Sequence, residues 1–240
     1  MSNKINFAIV IATYYRPDGS TLKKISKTFE NIINQSYDNW TIILVGDKYE
    51  NQEEFDKIVK LIPPEKIIYQ NLDYAHERDM YNNNLIDRKQ LWCKGGSNAM
   101  REGIILAKNK GFNYIARLDD DDVWYPNHLA HLNEVYKKYP EAAFVYTSGY
   151  VWNYTMVPPL HMKICYNNLE PRGGHVLHST VSWRLDKIDI NYHKIDIQKD
   201  KRILNMPADS MMWTKIAQYC KANSLFYVYY PVVTVFHDNS

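Results

Sequence analysis

Along the first half of the chain, short apolar runs alternate with stretches in which apolar residues recur every three or four positions. Phe7 to Ala12 is an unbroken apolar run and predicts a buried strand. Leu22, Ile25, Phe29, Ile32 and Ile33 then share one helical face, with Ser20 or Thr21 placed to cap it. Trp40 to Val45 predicts a second strand. Phe55, Ile58 and Val59 mark a short helix stopped by Pro63-Pro64, and Lys66 to Tyr69 a third strand. Beyond a long polar stretch, Ala99, Met100, Gly103, Ile104 and Ala107 make a helix face ended by Gly111, followed by a strand over Tyr114 to Leu118. Leu129, Leu132, Val135 and Tyr136 give another helix closed by Pro140, before a strand over Ala143 to Trp152. This alternation is what a mostly parallel sheet flanked by helices requires, so the pattern predicts an α/β fold.

The rhythm changes near residue 150. Pro158-Pro159, Gly173-Gly174 and the charged stretch Asp186 to Arg202 interrupt it, and a single helix over Ser210 to Tyr219 precedes a strand-like segment from Leu225 to Phe236. The polar stretch from Asn71 to Lys89 is longer than most structural connections and is expected to be a mobile lid or an insertion. With 240 residues, 45% hydrophobic and 23% charged, the chain fits one domain, 1–240, made of two unlike halves. The net charge of +2 supplies no broad basic face, which argues against nucleic acid as a partner. Cys93, Cys165 and Cys220 lack paired spacing, so neither a disulfide framework nor a zinc site is expected, and a reducing, cytoplasmic setting fits. No apolar run is long enough for a transmembrane span, and the protein is expected free in the cytoplasm or peripheral at a membrane. Twenty tyrosines and six tryptophans offer flat faces suited to sugar rings, and equally to core and strand positions.

The most informative segment is Ile115-Ala116-Arg117-Leu118 running into Asp119-Asp120-Asp121-Asp122. On an extended backbone Asp119 and Asp121 point to the same side, and they would converge at the carboxyl edge of the sheet, where open α/β sheets bind ligands. Adjacent carboxylates repel one another, and Mg²⁺ or Mn²⁺ is the natural compensation. A calcium loop of the EF-hand type fails, since Trp124 stands where glycine is needed. A phosphatase of the haloacid-dehalogenase kind would also place Asp119, Asp121 and Val123 after a strand. That motif would lie on the first strand, however, and no acidic pair downstream completes it.

Other segments, in order, extend the picture: Phe7 to Tyr15, then Gln35-Ser36-Tyr37 with the strand ending before Asp47, then Gly95-Gly96-Ser97 opening a helix, then Arg117 to Pro126. Together they resemble inverting glycosyltransferases of family 2, which have the GT-A fold, over residues 7 to about 140. The resemblance implies a nucleotide-sugar-binding half over 1–125, Rossmann-like, and a less regular acceptor-binding half over 126–240. It implies that Thr13 and Asp47 contact the base and ribose, that Tyr15, Gly95 and Asp120 also face the donor, that Asp119 meets the ribose or the metal shell, and that Asp121 holds the metal, Mn²⁺ or Mg²⁺, with His237 completing its shell. The family often carries a second acid beside Asp47, where this chain has Gly46, and an arginine where it has Met100. Arg78, Lys94 and Arg101 are then the candidate diphosphate contacts.

In the second half, Pro207-Ala208-Asp209-Ser210 precedes a helix, and the resemblance makes Asp209 the catalytic base; the plainer reading is a helix cap. His175 and His178, beside Gly173-Gly174, could line the acceptor pocket, but their spacing favours a plain loop. The activity implied is metal-dependent, inverting transfer of a sugar from a nucleoside diphosphate donor, UDP- or GDP-linked, to a hydroxyl on a glycan, lipid or protein, by a chain that can be a homodimer. The alternatives are the phosphatase and a catalytically silent sugar- or nucleotide-binding module.

Overall fold

A computed structural model describes residues 4–151, 153–158, 165–166 and 170–237. Trp152, the expected end of a strand, and Pro159 lie outside the described residues. The first half runs β1 (Phe7–Thr13), α1 (Thr21–Ile33), β2 (Trp40–Gly46), α2 (Gln52–Val59), β3 (Ile67–Asn71), α3 (His76–Asn82), α4 (Arg88–Lys94), α5 (Ser97–Asn109) and β4 (Tyr114–Arg117). The second runs β5 (Val123–Trp124), α6 (His128–Lys138), β6 (Ala142–Tyr150), β7 (Met156–Val157), β8 (Cys165–Tyr166), β9 (Val181–Arg184), α7 (Ala208–Ala222) and β10 (Phe226–Phe236).

The strands form one sheet in the order β3-β2-β1-β4-β9-β6-β10-β5, with β7 on β6 and β8 on β10. β1 pairs in parallel with β2 and β4, β2 with β3, and β6 with β10. β9 is antiparallel to both its neighbours, β4 and β6. The run Phe7 to Ile11 is apolar at every position because β1 is covered on both faces. Phe7, Ile9 and Ile11 pack with Ile25, Phe29 and Leu132, while Ala8 and Val10 pack with Met100 and Ile104. Gly103 lets α5 lie directly on the sheet, since a Cβ there would stand 2.6 Å from Val10 Cγ1.

The polar stretch expected to be a lid contains α3 and the first two residues of α4, Arg88 and Lys89. Its burial rests on few residues: Glu77 accepts hydrogen bonds from Ser97 Oγ at 2.8 Å and Asn98 N at 3.1 Å, and Ile86 joins Leu204 and Ile195 in a small apolar cluster. Asp87 and Gln90 form a capping box at the start of α4. β5 and β9 were not foreseen; they are too short for periodicity to register. Pro231 sits inside β10 at an irregularity, where the pairing with β6 skips between Tyr229 and Val233. Among the described residues no helix is long and apolar enough to cross a membrane.

Candidate active site

Because β1, β2 and β4 run in parallel, the residues after them gather at one edge. Thr13 closes β1, Asp47 follows β2 with its N–H donated to Thr13 O at 2.8 Å, and Asp119 follows β4. There they border a cleft of about 820 Å³ whose other walls are Gly95 and Gly96 before α5, Val176 to His178, Pro207 to Ser210 at the start of α7, and His237 after β10. Of the residues expected from the sequence, Thr13, Asp47, Gly95, Asp119, Asp120, Asp121, Asp209 and His237 all border this cleft. Tyr15 does not. It is 51% exposed and lines a neighbouring pocket of about 340 Å³ with Lys48 and Tyr49, and Arg78 borders both cavities.

At the end of the cleft built by β1 and β2, Thr13 Oγ1 is 2.9 Å from Tyr49 Oη. Asp47 is buried, with Oδ2 3.0 Å from an Arg78 nitrogen and Oδ1 without a partner. Burial raises its pKa, against the pull of Arg78. Tyr14 lies between two guanidinium groups, those of Arg16 at 4.4 Å and Arg78 at 4.8 Å from its ring centre. Of the other candidate diphosphate contacts, Arg101 pairs with Glu102 at 2.5 Å and is not among the cleft residues. Lys94 is buried, its Nζ 3.0 Å from Met211 Sδ, and burial lowers its pKa. Asn98 N–H at the start of α5 is taken by Glu77, so that donor of the Gly95-Gly96 turn is already engaged.

The four acids do not continue the strand as an extended chain. They turn, with Asp122 N–H donated to Asp119 O at 3.3 Å, so that β5 can start back along β10. Asp120 is buried and accepts from Arg16 through both oxygens, at 2.9 and 2.7 Å, a bidentate pair. Asp121 Oδ2 is 3.3 Å from the same guanidinium and 3.8 Å from Lys24 Nζ. Burial and the charges of Asp120, Asp119 and Asp122 push the Asp121 carboxyl up to about 7. Asp119 behaves oppositely: burial would raise it, but Arg117 at 2.8 Å and His178 hold it well below the usual carboxylate range. Asp122 accepts from Ser179 Oγ at 2.5 Å and lies 2.8 Å from His237 Nδ1. That contact, with the neighbouring acids, raises the His237 pKa to about 9. Asp119, Asp122 and His237 each bring a ligand atom within 4.8 Å of the others, a group that contains the expected His237 but not Asp121.

Asp209 is the second residue of α7, after Ala208, and makes no capping hydrogen bond; Pro207 stands at the cap position. Its Oδ2 is 2.7 Å from His178 Nε2, at ion-pair distance though not aligned as a hydrogen bond, while His178 Nδ1 is 3.4 Å from Asp119 Oδ2. His178, expected to be plain loop, therefore stands between the acid at the strand end and the acid on α7. Arg16, Arg117 and Tyr192 were also missed; Arg117 Nε donates to Tyr192 Oη at 3.0 Å beneath Asp119. Arg117 closes the expected strand that leads into the acids, the one signal that could have marked it; no such signal stood near His178, since β9 was not foreseen.

A mostly parallel sheet with the antiparallel β9 inserted at its middle, short antiparallel strands at its margin and an acidic turn at its carboxyl edge has the GT-A architecture. A family model described as glycosyl transferase family 2 matches residues 8–192, and the chain belongs to that family. It is 37% identical over 245 residues to the uncharacterized glycosyltransferase R139 of Acanthamoeba polyphaga mimivirus, covering 99% of this chain and 95% of that one. Among solved structures it resembles S. aureus TarS 1-349 in complex with UDP-GlcNAc, with a TM-score of 0.67 at 12% identity over 98% of this chain. It also resembles the mannosyltransferase PcManGT of Pyrobaculum calidifontis in complex with GDP-Man and Mn²⁺, with a TM-score of 0.58 at 11% identity over 98% of this chain. The chain spans 59% and 57% of those two chains, and 37% of a longer TarS chain. Membership of the family sets aside the phosphatase reading.

Proposed function

We propose that this glycosyltransferase moves a sugar from a UDP- or GDP-linked donor to a hydroxyl acceptor, with inversion and with the help of Mn²⁺ or Mg²⁺. The observation that carries the reading is the convergence on one cleft of the acidic turn, the end of β1 and Asp209, joined through His178. Neighbours of the same fold bound to UDP-GlcNAc and to GDP-Man with Mn²⁺ support a nucleotide-sugar donor and a divalent ion. Thr13 and Asp47 serve the nucleoside, and Gly95 and Arg78 the diphosphate side, while Tyr15 lines the neighbouring pocket that Arg78 also borders. Asp119 lies at the donor, and Asp120 fixes Arg16 beneath it. Residues 1–125 form the donor half, from which α4 reaches α7 of the acceptor half, 126–240.

The acidic turn suits a divalent ion. Two carboxylates and an imidazole are hard-to-borderline donors gathered within one ion's reach, and burial together with the neighbouring carboxylates pushes Asp121 beside them up to about 7. Asp119, Asp122 and His237 would hold the ion, with Asp121 the next carboxylate on the same turn. When bound, it supplies charge neutralisation for the departing diphosphate. Asp209 takes the proton from the acceptor hydroxyl as the new bond forms, and one displacement on the sugar's anomeric carbon inverts its configuration. His178 keeps the Asp209 carboxylate turned into the cleft.

Release of UDP or GDP from a panel of nucleotide sugars, with Mn²⁺ and with a chelator, tests the reading. Metal-dependent release from at least one donor is expected. Tight nucleotide binding without turnover of any donor, with or without acceptors, would instead make the chain a binding module.

A further inference from the structure

Trp92 is 78% exposed, the most exposed of the large apolar side chains among the described residues, yet it borders the cleft. Water is a poor place for an indole, and a lone exposed tryptophan on a cleft wall is the kind of group that a ligand covers. The helix presenting it is fixed. Leu91 packs toward Ile86, Ile195 and Leu204, the capping box holds the start of α4, and Lys94 Nζ meets Met211 Sδ at 3.0 Å. Met211 lies on the first turn of α7, two residues beyond Asp209. Lys94 thus ties α4 to the start of α7, and Trp92 borders the same cleft as Asp209, Ser210 and His178, whereas Thr13, Asp47 and Arg78 are assigned to the nucleotide.

We propose that Trp92 is the stacking platform for the acceptor and that the acceptor's reacting residue is a sugar ring, an inference that rests on the glycosyl-transfer reading above. A pyranose has a face of C–H groups that packs against an aromatic ring and a rim of hydroxyls that needs polar partners. The cleft supplies both: the indole on α4, and Asp209, Ser210 and His178 bordering the same cavity. A lipid chain would need a continuous apolar wall, and these three side chains interrupt it. With the ring held on Trp92, one of its hydroxyls is presented to Asp209.

The test uses the full chain with Mn²⁺ and UDP or GDP, and measures binding of methyl and octyl glycosides of glucose, galactose, mannose, rhamnose and N-acetylglucosamine by saturation-transfer NMR. At least one methyl glycoside should bind. Trp92→Ala should weaken it about tenfold and Trp92→Phe should recover most of the loss, with nucleotide affinity as the control for folding. Equal binding to the alanine variant overturns the proposal, as does a wild-type chain that binds nucleotide but no methyl glycoside. Binding that follows the octyl chain whatever the sugar overturns it in favour of a lipid surface. If the chain binds no nucleotide, the transfer reading fails; Trp92-dependent sugar binding would then still stand on its own, and its absence would remove both.

Discussion

Glu77 offers a direct test of the electrostatics beneath the cleft. It lies in α3 and is buried; Oε1 accepts from Ser97 Oγ and Asn98 N, capping α5 from outside because Gly96 at the cap position has no side chain to do so. Oε2 is buried without a partner. Burial above all, with the nearby Asp47, pushes this carboxyl from 4.5 up to about 7. Between those values the folded chain keeps a proton that the unfolded chain has released. Stability should therefore fall as pH rises through that window and stay level above it. At about 1.4 kcal/mol per pH unit, the window is worth at most about 3 kcal/mol. Glu77→Gln keeps the shape and the Oε1 acceptor but cannot ionise. In urea unfolding at about pH 5 the two proteins should be nearly equal, and at about pH 8 the glutamine variant should be more stable by about 1–3 kcal/mol. A difference that does not change with pH, or a glutamine variant that is weaker at the higher pH, would refute this account of Glu77.

Two further outcomes follow from the geometry. Mn²⁺ must displace a proton from His237, whose pKa is raised to about 9, so calorimetric affinity should climb between about pH 7 and pH 9, and Asp122→Asn should weaken it. A flat profile together with an unaffected Asp122→Asn would remove both from the ligand set. Gly103→Ala should destabilise by about 1–3 kcal/mol in spite of alanine's better helix propensity, because its methyl would stand 2.6 Å from Val10 Cγ1. Thermal melting decides that, and a more stable variant would show that α5 can lift off the sheet freely.

Elements with dense apolar patterning were readable in advance. β1, β2 and β6 are buried on both faces and so appear as unbroken runs, while α1, α5 and α6 show one apolar stripe each. α3 and α4 were not, because a buried carboxylate and a capping box hold them rather than an apolar face; Asp87 three residues before Gln90 was the visible trace. β9 is fully buried at three of its four residues and sits mid-sheet, but four residues give no period to read. In the site, the acids were legible as a charge run after a strand. Their partners were not: Arg16 meets Asp120 across 104 positions and His237 meets Asp122 across 115, pairings that only the folded chain creates.

The same geometry explains why one run of four acids serves different ends. Asp120 is neutralised by a bidentate arginine and contributes rigidity. Asp119 is kept ionised by Arg117, and Asp121 is pushed up by burial and by the charges of its neighbouring acids. Environment separates side chains of identical chemistry.

The central claim is that Asp209 accepts the acceptor's proton, and the turnover of Asp209→Asn at saturating donor tests it most directly. Asparagine keeps the size of the side chain and its place in the first turn of α7 but removes the basicity. With nucleotide affinity and melting temperature retained, glycosyl transfer should fall by about 10² to 10⁴. An Asp209→Asn protein as active as the wild type would contradict the account.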